Sequence, residues 1–253
     1  MKDIVSFLFN EYPSTAQITP FNIWHFVYLF SILGATVLLS FLYQNKTAEK
    51  KEKLIRLFAY LTIGIYIADF FIMPLSDSYG SISEDKLPFH ICTLMGVMAA
   101  FVQFNPRLKV IKTPVVTLSI ASTLMWMCYP GSALGGEPPF CYRIFQTFIF
   151  HGFLFSWGVL NLSLGAVKFR IREIWKEFIG ILIIFIWASF GNSVYDGHNW
   201  FFIRDVLFPG IPAEIMPVAV ISSVFAMCLV IYGIYYGITG MVNKRKVTQL
   251  NFI

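Results

Sequence analysis

Apolar residues run along this chain in long blocks with little or no charge, separated by short polar segments. Seven blocks stand out, at about 22–43, 57–75, 87–104, 113–128, 144–167, 178–195 and 215–240. Crossing about 30 Å of hydrocarbon takes roughly 20 helical residues, and most of the blocks approach or exceed that length. Lipid-facing strands would alternate in polarity. These blocks are apolar on all sides, so the pattern predicts helices and excludes a barrel. The third and fourth blocks are short. The fourth opens at Pro114, suited to a first helical turn because its missing N–H would be unpaired there anyway. No Gly/Ser/Pro-rich linker, low-complexity tract or internal repeat divides the sequence, so residues 1–253 read as one all-α membrane domain of seven transmembrane helices. The first twenty residues have no apolar core, and no cleavable signal peptide is expected.

Composition agrees with the pattern. Of the 253 residues 57% are hydrophobic and 13% charged, too little charge to cover a soluble domain of this length. The net charge of +5 is open to a reading as an acidic-partner signal, but its distribution points elsewhere. Fifteen of the 19 Lys and Arg follow blocks 1, 3, 5 and 7, within Lys46 to Arg56, Arg107 to Lys112, Lys168 to Lys176 and Lys244 to Lys246. The opposite side holds Lys2, Lys86, Arg143 and Arg204. This alternation supports seven spans, and the excess of Lys and Arg marks the cytoplasmic face. The N-terminus is then outside and the C-terminus cytoplasmic, in a multi-pass protein of the cell membrane. The basic clusters read as topology signals and as contacts for anionic lipid head groups, not for nucleic acid.

Orientation gives depth to the stretch Leu87 to Cys92, LPFHIC, which opens the third block. That block enters from outside, so His90 and Cys92 belong to the outer leaflet, with Cys92 about 8 Å deep. On the same reckoning His151 lies about 12 Å deep in the fifth block and Asp69 about 9 Å from the outer end of the second. Asn192 closes the sixth block, followed by Asp196, His198 and Asn199, and His25 opens the first. Ionisable groups inside a membrane are costly and usually face a protein interior or a water-filled cavity. The set predicts a polar pocket open to the outer leaflet. Asp69 is the one acid inside any predicted span, and the inner half is expected to hold no histidine and no buried acid.

Two residues apart, His90 and Cys92 point to nearly opposite helix sides, so His90 is a poor base for the thiol. A thiol in lipid stays protonated and inert unless something takes its proton. His151, at similar depth on another helix, is the better partner. A nucleophile, a base and a third group that orients the base form the general arrangement. Asp69, Asn192 and Asn199 are the candidates for that third group, and the sequence does not choose among them.

Plainer readings stand beside these. A buried cysteine is usually a small hydrophobe, which suits Cys228 and is the alternative for Cys92. His151 and Asp69 are equally placed to pair helices, and His25 and His90 to anchor at the interface. Cys128 and Cys141 bracket a Gly- and Pro-rich outward segment, where a disulfide is permitted and would add about 3 kcal/mol. A zinc site drawn from His90, Cys92, His151, His198 and Asp69 has no ligand spacing behind it, and no metal or other cofactor is expected. Phosphate-loop, His-Glu-x-x-His and Gly-x-Ser-x-Gly patterns do not occur. The last block has no lysine for retinal, and one buried aspartate does not make a two-aspartate protease. Thr117, Ser119, Ser122 and Thr123 remain as candidate lining of a path through the fourth block.

The motif LPFHICTL followed by an apolar helix resembles the cysteine motif of the seven-span TMEM-type lipid acyltransferases of animals and their bacterial YwaF-like relatives. The turn MWMCYP, the histidine of FIFHGFLF and the stretch GNSVYDGHNWFF match in the same order over roughly residues 60–205. This resemblance implies that Cys92 carries an acyl group, that His151 is the base, and that acyl chains move between membrane phospholipids without coenzyme A. Two positions depart from it: Thr93 stands where bacterial relatives often carry Asp, and Asn199-Trp200 where an Asn-Tyr pair is expected. A pocket facing the outer leaflet would also favour a membrane lipid over cytoplasmic acyl-CoA as donor. The alternative is a non-enzymatic binding protein or transporter with a polar outer-leaflet pocket.

Overall fold

The computed structural model describes residues 17–75, 86–129, 138–195, 197–202 and 211–250, with side chains through Met241. Among these lie seven α-helices, each on one of the apolar blocks: α1 (Ile23–Tyr43), α2 (Ala48–Ile72), α3 (Ile91–Phe104), α4 (Lys112–Cys128), α5 (Tyr142–Ser163), α6 (Trp175–Val194) and α7 (Met216–Leu250). No strand occurs among the described residues.

Several ends differ from the sequence pattern, for identifiable reasons. Helix α2 begins nine residues before the apolar block it contains. The Thr47 side chain caps it, Glu49 sits in the first turn, and ion pairs Lys53–Glu49 and Arg56–Glu52 run at i,i+4. Most of the basic segment after α1 is therefore helical. Helix α3 begins at Ile91, because Leu87 to His90 form a turn in which the Phe89 N–H donates to the Leu87 carbonyl at 2.8 Å. Asn105 ends α3, and its side chain accepts from the Arg107 N–H to start the short 3-10 helix Pro106–Ile111.

Five helical segments are long and apolar enough to cross a membrane: Ile23–Tyr43, Ala48–Leu75, Pro106–Cys128, Ile171–Val194 and Ala213–Met241. Helix α3 is apolar but shorter. Helix α5 has 22 residues but carries Gln146, His151 and Asn161, all buried. Large apolar side chains such as Phe30, Val37 and Phe41 face outward on α1, as suits lipid.

The bundle is built round α4, whose residues Pro114 to Thr123 are all buried. It packs against α3, α5, α6 and α7, while α1 sits outside on α5. Close approach of backbones, not bulk, holds these contacts, as expected where lipid removes the hydrophobic drive between helices. A Cβ on Gly158 of α5 would lie 2.6 Å from Ile120 Cγ1 of α4, so only glycine fits there. Between α1 and α5, the Thr36 and Ser156 hydroxyls share a hydrogen bond at 2.6 Å. Of the α4 hydroxyls considered as a path, Ser122 and Thr123 bond their own helix at the Ser119 carbonyl, while Thr117 lies within reach of both the Thr113 carbonyl and Glu177 of α6. Replacing Gly158 with Ala is expected to force Ile120 aside and cost roughly 1–3 kcal/mol. Gly34→Ala, with nothing within 4 Å of the added Cβ, is expected to be neutral or slightly stabilising. Thermal unfolding of the two variants in detergent checks the contrast.

Candidate functional site

The turn before α3 is fixed by a cluster of aromatic rings. Phe89 is buried over Gly191 of α6, where a Cβ would stand 2.6 Å from its ring. Trp187 stacks on Phe89 at 5.0 Å between centroids and donates its Nε1–H to the Pro88 carbonyl at 2.8 Å. Trp200 closes the other side at 4.7 Å. His90 is the N-cap residue of α3, with its ring 6.0 Å from that of Phe202. Thr93 donates to the His90 carbonyl at 2.9 Å. Anchored in this way, the second helical residue, Cys92, is buried in the core beside Ser122 of α4, whose hydroxyl donates to the Ser119 carbonyl at 3.4 Å.

His151 lies on α5, buried, with its ring stacked on Trp126 of α4 at 3.8 Å and 10°. Its Nδ1 is 2.7 Å from the Thr147 carbonyl one turn back. A carbonyl can only accept, so Nδ1 carries the proton and Nε2 holds the lone pair of the neutral ring. Ser122 and Trp126 are four residues apart on α4, one above the other on the same face. The thiol and the imidazole thus meet one face of one helix, about 6 Å apart along its axis. Gly96, one turn beyond Cys92, would place a Cβ 2.9 Å from Phe150, the residue before His151. Helices α3 and α5 therefore touch at this level.

Asp69 and Asn192, two of the candidates for a third group, bind elsewhere. Asp69, on α2 and 1% exposed, takes Lys86 Nζ on Oδ2 at 2.6 Å and the Tyr142 hydroxyl on Oδ1 at 3.0 Å. Tyr66 donates to the Lys86 carbonyl at 2.6 Å, holding the lysine in place. Tyr142 precedes His151 by nine residues, about 13 Å along α5, which separates Asp69 from the imidazole. Asn192 holds the backbone of Trp200, accepting from its N–H at 2.9 Å and donating to its carbonyl at 3.0 Å. His198 stacks on the Trp200 ring at 4.5 Å, and Asn199 accepts the Phe202 N–H through its carbonyl. The orienting group for His151 is the Thr147 carbonyl, a backbone atom that composition cannot reveal.

Two expectations are corrected. Cys128 and Cys141 are not bridged to one another: Cys128 is exposed at the end of α4 and Cys141 is buried. Cys141 packs with Ile18, Ile144 and Phe148, which turns its sulfur into a small cluster of its own. The second correction concerns buried acids. Glu177, in the first turn of α6, is fully buried and accepts from Thr117 at 3.1 Å and Tyr232 at 2.7 Å. It ties α4, α6 and α7 together at the end of the bundle far from Cys92. His25 is also structural: its Nδ1 accepts from the Phe21 N–H at 2.9 Å and its Nε2 donates to the Met127 carbonyl at 2.7 Å. Among the described residues no group of three His, Cys, Asp or Glu converges as around a metal ion.

Several membrane-length apolar helices in an all-helical chain define a multi-pass membrane protein. A family model matches residues 20–236, a range that holds Cys92, His151 and their supports, and the chain belongs to the TMEM164 family. No curated protein and no solved structure matches it. Removing one partner of a buried ion pair strands the other, whereas replacing both with apolar groups is often tolerated. Asp69→Ala is therefore expected to destabilise the bundle by about 3 kcal/mol, with Asp69→Leu/Lys86→Met recovering most of the loss. Thermal unfolding of the purified single and double variants measures it.

Proposed function

We propose that this protein is a seven-span phospholipid transacylase of the cell membrane, N-terminus outside, with Cys92 as nucleophile and His151 as base. The observation that carries the reading is the shared face of α4, with Ser122 against the thiol and Trp126 against the imidazole. The Thr147 carbonyl adds the second element of an activated pair, an oriented base with its lone pair on Nε2.

In the first half-reaction His151 Nε2 takes the thiol proton as Sγ attacks the ester carbonyl of a phospholipid. The tetrahedral intermediate collapses, the C–O bond breaks, and the departing lysolipid alkoxide takes the proton back from Nε2. A thioester on Cys92 remains. In the second, the hydroxyl of an acceptor lysolipid gives its proton to Nε2 and attacks the thioester, and the returning thiolate is reprotonated. Backbone N–H groups of the first turn of α3, which a helix leaves without intrahelical partners, would supply donors for the oxyanion. No cofactor enters either step. Asp69, His90, Asn192, His198 and Asn199 act in this scheme as supports of the scaffold.

Incubation of the purified protein with a defined phospholipid, followed by intact mass spectrometry, tests the scheme. The wild type is expected to gain one fatty-acyl mass that hydroxylamine removes, and Cys92→Ala to gain none. His151→Gln, which keeps most of the buried volume, is expected to slow transfer by about a hundredfold or more. No adduct on either the wild type or the His151 variant would sink covalent catalysis. Loss of solute binding on Asp69→Asn, with Cys92→Ser unaffected, would instead establish a carrier.

A further inference from the structure

The end of the bundle far from Cys92 carries a feature that the thioester chemistry does not use. A cleft of about 760 Å³ opens there between α2, α3, the Pro106–Ile111 turn, α4 and the segment leading into α6. Its volume lies in the range of small-molecule sites, roughly 300–1,000 Å³. Six cationic side chains from five separate segments line it: Arg56, Lys109, Lys112, Lys168, Arg170 and Lys176. Two acids face them, and both are engaged. Glu52 holds Arg56 and accepts from Gln103, while Glu173 holds Lys176 and Arg170. Lys109, Lys112 and Lys168 have no carboxylate partner among the described residues.

The floor of the cleft is built. Gln103, 7% exposed, donates to Glu52 Oε1 at 2.9 Å and accepts from Trp157 Nε1 at 3.1 Å. That chain of bonds ties α2, α3 and α5 below the lysines. A topology signal needs Lys and Arg beside the spans on one side of the membrane and nothing more. It does not need them to converge on a concavity, where like charges repel one another and the field is focused. Convergence with three cations left over is the arrangement that a bound polyanion would neutralise. Arg supplies planar forks for phosphate oxygens, and Lys supplies mobile point charges. Phe104 and Val110, both apolar and outward-facing, stand at the rim, where acyl chains of a lipid would leave the head group.

We propose that this cleft binds a phosphate group bearing more than one negative charge. Phosphomonoester lipid head groups and soluble phosphates share that chemistry, and two probes separate them. Full-length protein in phosphatidylcholine nanodiscs is titrated with inorganic pyrophosphate by calorimetry. The same protein in neutral detergent is given phosphatidate or phosphatidylglycerol, and retained lipid is counted by native mass spectrometry. The test variant is Lys109→Gln/Lys112→Gln/Lys168→Gln. The control, Lys46→Gln/Lys50→Gln/Lys53→Gln, removes equal charge from the α1–α2 region, outside the cleft.

A soluble ligand predicts that the test variant weakens pyrophosphate binding about tenfold and the control less than twofold. A lipid ligand predicts that phosphatidate is retained over phosphatidylglycerol and lost in the test variant alone. Wild type that binds neither probe, or equal losses in both triple variants, would overturn the proposal and leave the cations as topology signals. Should the triple variant not fold, Lys168→Gln alone, at an exposed linker position, is expected to weaken binding about twofold, with Lys46→Gln unchanged.

Discussion

Helix α4 is buried along ten successive residues, Pro114 to Thr123, and the rest of the bundle depends on how that burial is achieved. Lipid chains are as apolar as leucine, so nothing but close packing and polar bonds draws neighbouring helices onto it. Its sequence answers with small and hydroxyl side chains: Thr117, Ser119, Ala121, Ser122 and Thr123. Gly158 of α5 and Gly180 of α6 receive Ile120 and Leu118, and Glu177 bridges Thr117 to Tyr232. With α4 fixed on all sides, its last turns are placed too. Ser122 and Trp126 then present a defined surface to the cysteine of α3 and the histidine of α5.

The sequence makes the existence of the helices plain, because apolar length is a local property, but it leaves their ends in doubt. The start of α2 is set by a Thr47 cap and two ion pairs, signals weaker than hydropathy and masked by five cations. Glu177 falls one residue before the apolar block, yet it is in phase with Ile181, Ile184 and Ala188 on the buried face of α6. Helical spacing extended by one turn would have found it. The hydrogen bonds of Asn192 to Trp200, the Thr147 carbonyl on His151 and the packing of Cys141 against Ile18 leave no such trace. They depend on tertiary placement or on backbone atoms common to every residue.

The polar groups divide between the two ends of the bundle in unlike ways. Around Cys92 and His151 the nearby charges are compensated, since Lys86 faces Asp69 and Tyr142 closes the pair. At the other end the cations outnumber their acids and stay partly solvated, an arrangement that attracts anions from a distance. The two ends of the bundle thus differ in electrostatic character, one holding a buried ion pair and the other an excess of cations, separated by the packed length of α4.

Both departures from the acyltransferase pattern fall on the scaffold, not on the Cys–His pair. Thr93 caps the turn that sets up α3 by donating to the His90 carbonyl, a task that concerns where the helix starts. Trp200 is held by its backbone through Asn192 and by its ring between Phe89 and His198. Its bulk fills the space beside the LPFHIC turn, so a Trp at this position changes how Phe89 is packed and leaves the thiol with its neighbours on α4. Substitutions of this kind alter the shape of the wall beside Cys92 and leave the placement of Cys92 and His151 against α4 to Ser122 and Trp126.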